Sequence, residues 1–157
     1  MATAIARTEA LRRNAPARFQ LVSSLTSACT LSTSGLNWVV NLTASTSPAS
    51  SCNSAVSSTT SPYIVQAMPV ISSTSGVVVA AGQSTVSFNG LGRQTASTNP
   101  TAPVADYVIN ISSSNGTCIA SSGTLRCLRL TVGSGGQIRM CDPSITSATS
   151  NNNAAAC

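Results

Sequence analysis

The chain has 157 residues, room for one domain around a single core, and a net charge of +5 with only 7% charged residues. Its 28 serines and 19 threonines make a surface that is hydroxyl rather than ionic, and lysine and histidine are absent. That composition excludes histidine-ligated zinc and histidine- or lysine-based catalysis. All positive charge falls to Arg7, Arg12, Arg13, Arg18, Arg93, Arg126, Arg129 and Arg139, against Glu9, Asp106 and Asp142.

The first stretch, ATAIARTEALRRN (2–14), is rich in helix formers and sets Ala2, Ile5, Ala6 and Glu9 along one side. Asn14-Ala15-Pro16 ends it, because the residue before proline is pushed from the helical region and proline has no N–H to donate. A free helix this short is marginal in water. The segment 1–15 therefore reads as the end of a longer helix or as a helix packed on a sheet.

From Pro16 the pattern is β. ARFQLV, NWVVNL, YIVQAM, GVVVA, STVSF, DYVINI, RCLRLTV and QIRMC are short runs rich in β-branched and aromatic residues, with Ser/Thr/Gly/Pro stretches between them. One helix followed by many strands predicts an α+β fold, the helix lying against antiparallel sheet, in a single domain whose β-rich body spans 16–157. Asn89-Gly90, after STVSF, is the strongest two-residue hairpin signal. The polar stretches 43–62 and 93–105 read as surface loops that bury little. Trp38, the sole tryptophan, reads as a sheet-packing residue.

The last two runs can be placed by register. Pairing Val132 with Ile138 and Leu130 with Met140 puts the apolar residues on one inward face and leaves 133–137 as the turn, where glycine enters φ > 0 easily. Arg129, Thr131, Arg139 and Cys141 then share the other face. With Arg126 close by, Arg129 and Arg139 form a basic cluster and are the candidate DNA-binding residues, through phosphate contacts that would be sequence-independent and salt-sensitive. No aromatic residue lies in this hairpin to stack a base.

Six cysteines with no C-x-x-C and no histidine point to disulfides and hence to an oxidising compartment. Fifteen connectivities are possible. Joining neighbours along the chain gives three modest loops, Cys29–Cys52, Cys118–Cys127 and Cys141–Cys157, and is the favoured arrangement. Disulfides require export, yet the first residues hold no run long enough for a signal peptide or membrane span. The expectation is that the export signal lies outside the sequence given.

Catalysis lacks its parts. Glu9 stands at ion-pairing distance from Arg12 and Arg13 along a helix, Asp142 precedes a proline as a turn initiator, and Asp106 begins a strand. GSGG lacks the lysine and following helix of a phosphate-binding loop. No catalytic, metal-binding or cofactor-binding residue is assigned, and no cofactor is expected.

Three stretches carry a resemblance: ARTEALRRNAP (6–16), VSFNGLGR (86–93) and LRLTVGSGGQIRMCDP (128–143), the last followed by a terminal cysteine. In this order they are similar to the GspH/FimT family of type IV minor pilins and type II secretion pseudopilins, over essentially the whole chain. The resemblance implies a periplasmic domain whose missing helical half first anchors it in the inner membrane. It then implies a place at the pilus tip on the cell surface, with other minor pilins or pseudopilins as partners in priming assembly. A DNA-binding branch of the family carries a G-R-x-R motif for DNA uptake. Here those positions read Gly136-Gln137-Ile138-Arg139, with the first arginine replaced by glutamine.

Overall fold

The computed structural model describes residues 2–42, 46–68, 76–146 and 154–157. Helix α1 (Ala2–Arg13) precedes β1 (Ala17–Val22), β2 (Asn37–Leu42), β3 (Ile64–Ala67), β4 (Val77–Ala81), β5 (Thr85–Phe88), β6 (Gln94–Thr95), β7 (Ser97–Thr98), β8 (Thr101–Ala102), β9 (Tyr107–Ser113), β10 (Leu128–Val132) and β11 (Ile138–Cys141). One sheet runs β3-β2-β1-β5-β6, a second β11-β10-β9-β4, and β7-β8 is a two-stranded hairpin; every pairing is antiparallel. The α+β expectation holds, and all eight runs picked from the sequence carry a strand.

The helix ends in a Schellman motif. Ala15 N–H reaches the Ala10 carbonyl, Asn14 N–H reaches that of Leu11, and Asn14 takes φ 48°, a conformation asparagine tolerates better than most residues. Its buried side is Thr3, Ala6 and Ala10, while Ala2 and Ile5 are partly covered. Glu9, expected on that side, instead pairs with Arg12 and Arg13, both at 2.8 Å. The small side chains at 6 and 10 let the helix lie close on Ala17, Phe19, Val86 and Phe88, where it shares a core with Tyr107, Ile109, Leu130 and Val132 of the second sheet. Phe19 anchors that core, meeting Trp38 and Tyr107 at centroid distances of 6.2 and 6.3 Å. Burying such a ring contributes about 1.5–3 kcal/mol.

β1 is buried at all six positions, since both its faces are covered. Ala17, Phe19 and Leu21 face the helix. Val22, on the other face, joins Val39, Ile64 and the Cys29–Cys52 disulfide in a second, smaller core beneath the polar loops. Those loops therefore do more than the sequence suggests. Within 93–105, β6 to β8 form and Gln94, Ser97 and Ala102 are buried. The β5–β6 hairpin forms, but not through a two-residue Asn-Gly turn: Asn89 Oδ1 accepts from the N–H groups of Leu91 and Arg93, and the positive φ falls on Gly92.

Candidate functional site

The register of the last hairpin is the one the alternation demanded: Val132↔Ile138, Leu130↔Met140, Thr131↔Arg139 and Arg129↔Cys141. Gly136, at φ 81°, closes the turn by donating to the Gly133 carbonyl at 2.8 Å. Val132 and Leu130 are buried, but Met140, expected inward, is 37% exposed. Cys141 is bonded to Cys157, which brings the tail alongside Asp142. The other two disulfides join Cys29 to Cys52 and Cys118 to Cys127.

Arg129 and Arg139 lie diagonally across β10 and β11 on the outward face, the geometry in which long side chains of neighbouring strands reach one another. Each already has a partner within the chain. Arg129 Nε donates to Asn110 Oδ1 at 2.9 Å, and Arg139 donates to the Ala156 carbonyl at 3.3 Å. Arg126 leaves the strand before Cys127 and pairs with Asp142 at 3.3 Å, its own side chain 74% exposed. Asp142 also accepts from the Ser144 N–H and hydroxyl, and these bonds hold its carboxyl below the ordinary value. Of the three arginines, two therefore carry charge not matched by a carboxylate.

Asp106 is exposed at the start of β9, Glu9 is held by two arginines, and Asp142 caps its own turn. The three carboxylates lie on separate elements, so nothing here resembles an acid–base pair. Among the described residues no group of three His, Cys, Asp or Glu side chains is placed to hold a metal ion.

Two arginines outside the candidate cluster matter. Arg7 on the helix donates to the Gly92 carbonyl at 3.0 Å and, with Ala4, Thr8, Gly135, Gln137 and Ile138, lines a cleft of about 420 Å³ beside the hairpin turn. Arg18 is fully buried in β1. Its guanidinium donates to Ser97 Oγ at 2.9 Å and to the carbonyls of Asn99 and Thr46, and burial pulls its pKa down to about 10. Opposite it Asn41 donates to the Thr46 carbonyl at 2.8 Å. The Gln20 amide stands between them: it donates to Asn41 Oδ1 or, turned over, accepts from Arg18 Nε at 3.1 Å. No carboxylate is among these partners. Arg18 is a fastener of the 46 and 97–99 segments, a role hidden in the sequence because alternation in ARFQLV assigns position 18 to a solvent face.

The three stretches of family resemblance converge on one place. The helix supplies Arg7 and Asn14, the β5–β6 turn supplies Gly90 and Gly92, and the last hairpin supplies Gly136. Gly90 lies against Asn14, where a Cβ would stand 2.4 Å from Oδ1, and Gly136 packs on Gly92 and Arg93. Gln94 seals the junction, donating to the Val132 carbonyl at 2.8 Å through its side chain and to that of Ser134 at 3.1 Å through its backbone. These glycines join the helix to both sheets, which assigns them to architecture.

No family model matches the sequence, and no curated protein matches it. Among solved structures, the type IV minor pilin FimU of Pseudomonas aeruginosa PAO1 matches in two crystal forms. One has TM-score 0.52 and 12% identity, covering 90% of this chain and 81% of FimU; the other has TM-score 0.51 and 13% identity, covering 90% and 85%. At that identity the likeness is one of fold: a helix packed on two antiparallel sheets, in the arrangement of the type IV minor pilin FimU.

Proposed function

We propose that this chain is a structural, non-enzymatic minor pilin of the type IV pilus, which helps to prime assembly at the pilus tip together with other minor pilins. The supporting observation is the FimU-like architecture over nine-tenths of the chain, with its helix seated by the three stretches that resemble the family. In this reading the helix continues upstream into an inner-membrane anchor, and the β-rich body is periplasmic before reaching the cell surface. Among the described residues no helix is long and apolar enough to cross a membrane.

The codons upstream of the sequence test the reading. A basic leader, a Gly-Phe cleavage site and about twenty apolar residues are expected, the length a helix needs to span a bilayer. An upstream sequence with no apolar helix contradicts it. Neighbouring genes for secretion components would favour the type II secretion pseudopilin instead.

A second reading, a DNA-binding pilin, rests on the outward placement of Arg129 and Arg139 on one face, with Arg126 at its end. Titration of duplex DNA at low and moderate salt, repeated with Arg139→Ala, decides it. Salt-sensitive binding lost in the variant supports the reading, and no binding at low salt removes it.

A further inference from the structure

The sequence contains two Asn-Gly pairs, Asn89-Gly90 and Asn115-Gly116. A side-chain amide is lost most readily before glycine, which has no Cβ to shield its amide nitrogen or to hinder closure of a five-membered ring on the asparagine. Whether that ring can close depends on how firmly the fold holds the pair. Asn89-Gly90 is held on every side. Asn89 N–H donates to the Arg93 carbonyl at 2.9 Å, its carbonyl accepts from Gly92 at 2.8 Å, and its Oδ1 accepts from the N–H groups of Leu91 and Arg93 at 3.0 and 3.1 Å. Gly90 is packed against Asn14. Bringing the Gly90 nitrogen onto Asn89 Cγ would break these bonds and lift the turn from the helix end, so reaction there requires local opening.

Asn115-Gly116 follows β9 in a turn where both residues are exposed. Asn115 N–H donates to Ser113 Oγ at 3.2 Å, and the chain is next held at the Thr117 carbonyl, which accepts from Leu125 N–H at 3.0 Å. Between those two points, nothing among the described residues bonds the Asn115 side chain, the Asn115 carbonyl or the Gly116 N–H. Electrophile and nucleophile are therefore both free to meet without unfolding.

We infer that Asn115 is a self-modification site, where the folded chain converts asparagine into a mixture of aspartate and isoaspartate with water as the co-reactant. The Gly116 amide nitrogen gives up its proton and attacks Asn115 Cγ. The new N–Cγ bond forms, the Cγ–Nδ2 bond breaks, and Nδ2 leaves as ammonia after taking up a proton. Water then opens the succinimide. Attack at Cγ restores the ordinary main chain and gives aspartate, whereas attack at the backbone carbonyl carbon gives isoaspartate, whose main chain runs through Cγ; either way the Gly116 N–H is restored. Overall one water is consumed and one ammonium is released. The product adds a carboxylate to a chain whose only acidic side chains are Glu9, Asp106 and Asp142, directly ahead of the Cys118–Cys127 loop.

The test is incubation of the disulfide-intact protein in mildly alkaline buffer, followed over time by peptide mass spectrometry with fragmentation that separates aspartate from isoaspartate. The urea-denatured chain, incubated alongside, gives the rate of each pair without the fold. Both pairs are expected to react at similar rates when denatured. In the folded protein Asn115 keeps that rate within about threefold, and Asn89 falls at least about tenfold behind it, because only Asn89 must wait for local opening. Asn115→Gln, whose ring would carry one more atom, is expected to remove the early acidic species from an ion-exchange profile. A folded protein in which Asn115 stays intact, or in which Asn89 reacts as fast as Asn115, overturns the inference.

Discussion

Gly136 and Gly92 are in backbone contact: a Cβ built on Gly136 would stand 1.9 Å from the Gly92 carbonyl oxygen, the same oxygen that accepts from Arg7 Nε. The turn of the last hairpin, the β5–β6 turn and the helix are thereby locked at a single point. With φ 81° besides, Gly136 has no room for a side chain. Gly136→Ala is expected to lower unfolding stability by about 2–4 kcal/mol in urea titration. Gly133→Ala and Gly135→Ala, with nothing within 4 Å of the added carbon, are expected to stay within about 0.5 kcal/mol. Equal losses at all three positions would mean that turn flexibility, not contact, is what matters.

Arg18 is a buried cation answered by carbonyls and a hydroxyl. Removing it deletes the guanidinium's hydrogen bonds to the Thr46 and Asn99 carbonyls and to Ser97 Oγ, so Arg18→Ala is expected to cost roughly 3 kcal/mol. Arg18→Lys does not restore the loss, because an ammonium cannot spread its donors across the arc that the planar guanidinium spans. Denaturant midpoints of the two variants check this; a fully stable lysine variant would refute the clamp.

Tyr107 presents the opposite case. Its hydroxyl is buried with no hydrogen-bond partner among the described residues, and burial pushes its pKa upward. Tyr107→Phe keeps the edge-on contact with Phe19 and deletes the stranded oxygen, so stability is expected to rise by about 1 kcal/mol, read as a higher thermal midpoint.

Acid should loosen the chain's ends. The Arg12 hydrogen bond lowers the Glu9 pKa, and the Ser144 hydrogen bonds lower that of Asp142. For carboxyls depressed in the folded state, the stabilisation is complete above the unfolded value near 4 and is lost as pH falls through the lower folded value. The thermal midpoint should therefore be flat above about pH 5 and decline below about pH 4. Asp142→Asn should make that decline shallower.

The elements were legible because their signals are local. Period-two alternation fixed the β10–β11 register, Asn14-Ala15-Pro16 marked the helix end, and joining neighbouring cysteines along the chain gave the three disulfides that the structure forms. What stayed hidden is non-local. Arg18, Gln20 and Asn41 alternate with apolar residues as solvent-facing side chains do, and only the folding of Ser/Thr-rich loops over them turns that face into a polar interior. Likewise Thr3 and Ala10 replaced Glu9 on the helix's buried side, since small side chains admit close packing whereas Glu9 has two arginines to satisfy it. At the candidate basic face the sequence located Arg126, Arg129 and Arg139, but the Asn110, Ala156 and Asp142 partners that engage them come from other segments.

The central claim is that this chain is a pilus component. Mass spectrometry of pili sheared from the source bacterium, compared with a strain lacking the gene, tests it most directly. The account predicts peptides of this chain at low abundance beside the major subunit, together with fewer surface pili in the deletion strain, restored by complementation. A pilus fraction free of these peptides, with pili unchanged by the deletion, would contradict it.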